Sequence, residues 1–210
     1  VNKKSKTKAW FKKHTSDPYV KEAQEHGFRS RASFKLKEIQ NKYNIIKQRQ
    51  SVCDLGAAPG GWSDLAIKWV GPKGTVVACD LLDMNPIDEL KFIQGDFTEE
   101  ETQSSIILEN HNEKFDTIIS DMAPNTTGHK ATDQLRSIGL VEQVLYFATK
   151  NLKLDGCCVI KVFQGVGFDQ LVKDFRLNFK KIIINKPKSS KPESKEVYIV
   201  AFNLKTDIND

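Results

Sequence analysis

Short apolar runs alternate along this chain with longer stretches in which apolar residues recur every three to four positions. The runs at 51–55, 75–80, 91–94, 115–120, 156–163, 181–185 and 196–202 predict strands; helical periods are clearest at 62–70, 133–151 and 168–179. Ahead of the first strand, Ala32, Leu36, Ile39 and Tyr43 recur at helical spacing and predict an amphipathic helix over Ser30–Tyr43. Strands that alternate with helices make an α/β fold, here a mostly parallel, doubly wound, seven-stranded sheet whose ligands bind beyond the carboxyl ends of its strands. Only about ten residues, among them Pro187, Ser189, Ser190 and Pro192, join the last two strands. That is short for a parallel crossover, so the last strand is expected to run antiparallel.

The first strand runs directly into Asp54-Leu-Gly-Ala-Ala-Pro-Gly-Gly-Trp62. Gly56, Pro59, Gly60 and Gly61 force a turn between strand and helix, and glycines let a backbone approach a ligand closely while the helix N-terminus adds oriented N–H donors. Two phosphate loops fail here. Trp62 stands where a P-loop needs its lysine, and Ala58 occupies the second glycine of the dinucleotide fingerprint. The loop suits a cofactor that carries no phosphate.

Asp80 closes the second strand about twenty residues further on, where a carboxylate can accept from both hydroxyls of a ribose. Asp96, after Gly95, is positioned for an adenine edge, and with the loop the two describe an adenosine site. Asp121 ends the fourth strand, and Lys161 interrupts the fifth among Val159, Ile160, Val162 and Phe163. A lysine in such company needs a partner, and a structural salt bridge to Asp121 is the plain alternative to a catalytic role.

Composition narrows the class. At 210 residues the chain holds one sizeable domain. We expect a basic arm over residues 1–30, the domain over 31–205 and a tail over 206–210. Cys53, Cys79, Cys157 and Cys158 lack metal-ligand spacing and fall in apolar runs, which predicts reduced core thiols in a cytoplasmic protein; the four histidines are scattered, so no metal site is expected. No apolar stretch is long enough to span a bilayer and no signal-peptide pattern opens the chain, so no membrane association is expected.

Charge is uneven. Residues 1–50 carry fourteen Lys/Arg against four Asp/Glu, so of the overall net charge of +5 the remaining 160 residues hold −5. Lys180, Lys181, Lys186, Lys188, Lys191 and Lys195 form a second basic cluster. Two such clusters flanking a cofactor domain favour a polyanionic substrate, and Trp10, Phe11, Tyr19 and Phe28 interleave the first with rings able to stack on bases.

Together the loop Asp54–Trp62, Ser120-Asp-Met-Ala-Pro-Asn125, Val162-Phe-Gln-Gly165 and Arg29-Ser-Arg-Ala-Ser-Phe-Lys35 resemble the FtsJ family of S-adenosylmethionine-dependent RNA 2′-O-ribose methyltransferases. The resemblance spans about Trp10 to Phe202 and is nearest to the bacterial heat-shock type, which acts on a uridine of large-subunit ribosomal RNA. It implies a Rossmann-like methyltransferase fold and S-adenosyl-L-methionine as cofactor. It also implies a catalytic tetrad of Lys35, Asp121, Lys161 and Glu196, and cofactor contacts from Gly60, Trp62, Asp80, Asp96 and Asp121. The partner it implies is ribosomal RNA, within the large subunit, and the chain is expected to act as a monomer.

The residues alone reach part of this assignment. An antiparallel last strand starts at the edge where its parallel neighbours end, which brings Glu196 toward Asp121 and Lys161. Lys35, on a surface helix, would read as solvent-exposed without the family pattern. Lys161 can serve as a neutral general base or as a charged stabiliser of a developing alkoxide, and the sequence leaves both open. Transfer-RNA 2′-O-methylation, methylation of a base nitrogen and a non-catalytic ribosome-assembly factor are the rival readings.

Overall fold

In the computed structural model, which describes residues 22–205 apart from 24 and 126, a seven-stranded sheet runs in the order β3-β2-β1-β4-β5-β7-β6. The strands are β1 (Ser51–Leu55), β2 (Thr75–Asp80), β3 (Leu90–Gln94), β4 (Phe115–Ser120), β5 (Leu152–Phe163), β6 (Phe179–Asn185) and β7 (Glu196–Leu204). The helices are α1 (Ala32–Tyr43), α2 (Gly61–Val70), α3 (Glu100–Glu109), α4 (Lys130–Asn151) and α5 (Phe168–Asn178). The cluster at Lys3–Lys13, with the rest of residues 1–21, lies outside the described residues.

Strands β3, β2, β1, β4 and β5 pair in parallel, whereas β7 is antiparallel to both β5 and β6, as the short connection before it predicts. The sheet starts at β1, builds outward through β2 and β3, then returns to add β4 on the other side. This reversal opens a crevice between β1 and β4 at their carboxyl ends, where such sheets bind ligands.

Alternation along each strand separates two cores. Val52, Val76, Ile119, Val159, Tyr198 and Val200 pack against Leu36 and Ile39 of α1 and Trp62 and Leu65 of α2. The intervening residues Cys53, Val77, Ile118, Ile160, Val162 and Ile199 pack against α3, α4 and α5 on the opposite face. The free cysteines are all buried in these layers, and burial pushes their thiols upward, consistent with packing rather than reactivity.

The structure departs from the sequence reading in three elements. Helix α3 carries no strong apolar period because Ile106 is its one buried residue, so nothing in the sequence marks it. Helix α4 starts at Lys130, and β5 begins directly at its end with Leu152, not at residue 156. Leu152 pairs with Phe115 across a register irregularity in β4 and extends the strand back from residue 156.

Candidate active site

The glycine loop between β1 and α2 is shaped by its neighbours. Gly56 has φ +80°, and a Cβ there would lie 2.0 Å from Met122 Cγ and 3.2 Å from Met122 Cα, so only glycine lets the segment after β4 cross it. At Gly61 a Cβ would fall 2.6 Å from Ser30 Oγ and 2.7 Å from Ser33 Oγ, and Ser33 Oγ donates to Gly61 O at 3.1 Å. Close approach here is therefore between two protein segments: it seats α1 against the loop.

Beyond the loop, a cleft of about 710 Å³ lies at the switch point, lined by Gly56, Ala58, Asp80, Asp96, Asp121 and Arg136 among others. Asp80 is held at both oxygens, Oδ2 accepting from Ala58 N at 2.9 Å and Oδ1 from Leu82 N at 2.9 Å. Asp96 accepts twice on Oδ1, from Thr98 N at 2.9 Å and Thr98 Oγ1 at 2.7 Å, which fixes its carboxylate plane. Three carboxylates around one cleft suit a cationic ligand bearing hydroxyls. Among the described residues Arg136 is the sole cation in that lining, and the sequence reading included it in the helix at 133–151 without assigning it a role.

Gly60 and Trp62 stand behind this wall. Gly60 is the N-cap of α2 with φ 97°, close to Met84 and Ile87. The Trp62 ring is buried against Tyr198, with its Nε1–H donated to Ala32 O at 2.8 Å. What Trp62 can offer a ligand is its backbone N–H, since the first N–H groups of a helix have no intrahelical acceptor.

The four residues of the expected tetrad converge as two ion pairs. Lys161 Nζ lies 3.2 Å from Asp121 Oδ1 and also donates to the Asp121 carbonyl oxygen. Lys35 Nζ lies 2.7 Å from Glu196 Oε1. Lys35, Lys161 and Glu196 are only 9%, 8% and 9% exposed, so α1 presents Lys35 to the protein and not to solvent.

Tyr198, which the sequence reading passed over, joins the pairs. Its hydroxyl donates to Asp121 Oδ1 at 2.6 Å, and Lys35 Nζ sits 5.8 Å from its ring centroid. Burial, reinforced by the charges of Asp121 and Glu196, pushes its phenol well above the ordinary tyrosine range, so it stays an O–H donor. Strand pairing sets the arrangement: Lys161 faces Tyr198 and Phe163 faces Glu196 across β5 and β7. The signal was present, because Glu196 and Tyr198 are two apart on one strand and share a face.

The segment Arg29–Lys35 braces this assembly. Arg29 donates to Asn85 O at 2.8 Å and Pro86 O at 2.7 Å, and Arg31 donates to Ser189 O at 2.6 Å. Asp121 alone belongs to both the cleft and the paired groups, so a ligand in the cleft and a second reactant beside Lys161 would meet there. Among the described residues, no group of three or more His, Cys, Asp or Glu gathers as a metal site.

Comparison with known proteins adds identity to this geometry. Residues 28–204 match the family described as FtsJ-like methyltransferase. The chain is 51% identical over 205 residues to a protein of Francisella philomiragia named ribosomal RNA large subunit methyltransferase E, covering 98% of this chain and 100% of that one. A protein of the same name from Francisella tularensis subsp. novicida is equally similar, at 51% with the same coverage. Among solved structures, one described as a ribosomal RNA methyltransferase from Plasmodium falciparum superposes with a TM-score of 0.75 at 27% identity, over 84% of this chain and 98% of that one.

Proposed function

The chain belongs to the FtsJ-like methyltransferase family, and we propose on that premise that it transfers a methyl group from S-adenosylmethionine to a ribose 2′-hydroxyl of large-subunit ribosomal RNA. The target is a uridine, presented in the ribosomal particle. The observation that carries the reading is the pair of lysine–carboxylate bridges, joined through Tyr198, that shares Asp121 with a carboxylate-lined cleft. Membership of the family carries methyl transfer and a methyl donor; the relatives' names support the large-subunit target.

The cleft residues fit the proposed donor. Its volume is that of an ordinary small-molecule site. Asp80 would hold ribose hydroxyls, Asp96 an adenine edge and Asp121 the cationic end, with Gly60 and Trp62 contributing backbone. Bound there, S-adenosylmethionine supplies an electrophilic methyl group on a sulfonium. The protein's own residues must then align a 2′-hydroxyl and deal with its proton, and alignment alone supplies much of the rate. Lys161 is anchored on Asp121 by a hydrogen bond to its carbonyl oxygen and an ion pair with its carboxylate, and from there would meet the 2′-oxygen, either to take the proton or to hold the developing negative charge. Lys35 and Glu196 complete the polar wall on the other side of Tyr198.

Residues 1–30 are proposed as a basic arm, 31–205 as the transferase domain and 206–210 as a tail. Lys188 and Lys195 are exposed on the β6–β7 connection and extend the basic surface. Lys186 serves inside that connection, donating to Pro192 O at 3.0 Å and Ser194 O at 2.8 Å. We propose a cytoplasmic monomer; no helix of the described residues is long and apolar enough to cross a membrane.

Substitution of Lys161 tests the assignment. Lys161→Ala should reduce methyl transfer at least ~100-fold while methyl-donor affinity stays within a few-fold, because its partner in the reaction is the 2′-oxygen. Turnover near wild type in that variant would remove Lys161 from the mechanism.

A further inference from the structure

Glu196 Oε1 has two partners of different kinds. One is the Lys35 ammonium; the other is Ser190 Oγ, which donates at 2.9 Å from the connection between β6 and β7. A lysine ammonium is a point charge on a flexible stem and does not fix a carboxylate's rotation. A buried hydroxyl at hydrogen-bond distance does, and Ser190 is buried.

The connection that carries Ser190 is tied to α1. Glu38, one turn beyond Lys35, accepts from Lys188 N at 2.7 Å and from Ser189 N at 2.9 Å, one on each carboxylate oxygen. Arg31 grips the Ser189 carbonyl at 2.6 Å, Ser190 N closes a turn onto Pro187 O at 3.0 Å, and Ser194 Oγ accepts from Glu196 N at 3.1 Å. The same helix thus supplies the Lys35 partner of Glu196 and the clasp that holds its Ser190 partner. Exposed Lys188 and Lys195 sit on this connection.

We propose that Ser190 is a positioning residue for the Lys35–Glu196 pair, and that the Glu38–Arg31 clasp locks it there. The basic connection and the tetrad carboxylate then form one rigid unit, so substrate phosphates that bear on the connection are registered against the site. This rests on the functional reading above.

The test compares Ser190→Thr with Ser190→Val in the full chain. The two side chains have the same shape and differ in the hydroxyl, so any packing defect is common to both. With large-subunit particles and labelled S-adenosylmethionine, the threonine variant should keep kcat within about threefold of wild type. The valine variant should lose roughly tenfold or more in kcat, with donor KM unchanged, the size expected of a misaligned reacting group. Equal kcat for the two variants overturns the proposal, as does a loss in the valine variant that lies in donor KM. Failure of the wild-type chain to methylate a ribose hydroxyl would overturn the functional reading itself, and the two failures are distinguishable.

Discussion

At the scale of single residues, the site is built from charged groups that the fold has already paired, and one that it has not. Asp54 is fully buried beneath the glycine loop, with Oδ2 accepting from Ser63 Oγ at 2.6 Å and Oδ1 without a partner. Burial pushes its carboxyl from an ordinary 3.8 up to about 7; the Ser63 hydrogen bond opposes the shift, and the charges of Asp121 and Asp80 add to it. Between those two pH values the folded chain holds a proton that the unfolded chain has released. The contribution of this site to stability is therefore full below the lower value and lost as pH rises through about 7. Asp54→Asn cannot ionise, so its melting temperature relative to wild type should climb between pH 5 and pH 8. A difference that stays constant across that range would mean that Asp54 is ionised throughout. Most of the site residues could be read from the chain because each stands out in context: a lysine in a strand, aspartates at strand ends. Tyr198 was passed over although it shares a strand face with Glu196, since an aromatic residue in an apolar strand reads as core until its hydroxyl partner is known.

At the scale of elements, the loop after β1 and the segment after β4 depend on each other through Gly56. Alanine there would have to hold a left-handed backbone and displace Met122, at a cost of about 2 kcal/mol. Gly56→Ala should lower the melting temperature by several degrees and weaken methyl-donor binding, since Met122 and Asp121 both line the cleft. Wild-type affinity in that variant, measured by calorimetry, would uncouple the loop from the donor site. The strand order was legible to the extent that apolar runs and connection lengths express it, including the antiparallel β7. Helix α3 was not, because an edge helix with a single buried residue has no period to detect. Gly61 was legible as a close approach, yet its partners in that approach are Ser30 and Ser33 at the start of α1. That contact is long-range, and spacing along the chain does not encode it. The same holds for Lys35, whose burial depends on a helix docking over Tyr198.

At the scale of the whole molecule, the tetrad, the cleft and the basic connection meet at the carboxyl edge of one sheet. On the proposed function, a cationic methyl donor would belong with the three aspartates and a polyanionic acceptor with the lysine-bearing connection, so the reactants would be sorted by charge before meeting at Asp121. That arrangement suits a folded RNA held across the site. The most direct test follows the methyl group itself. Large-subunit particles, small-subunit particles and transfer RNA would be incubated separately with the chain and labelled S-adenosylmethionine, then digested to nucleosides. The prediction is label in large-subunit RNA as 2′-O-methyluridine; label chiefly in transfer RNA, or on a base nitrogen, would contradict it.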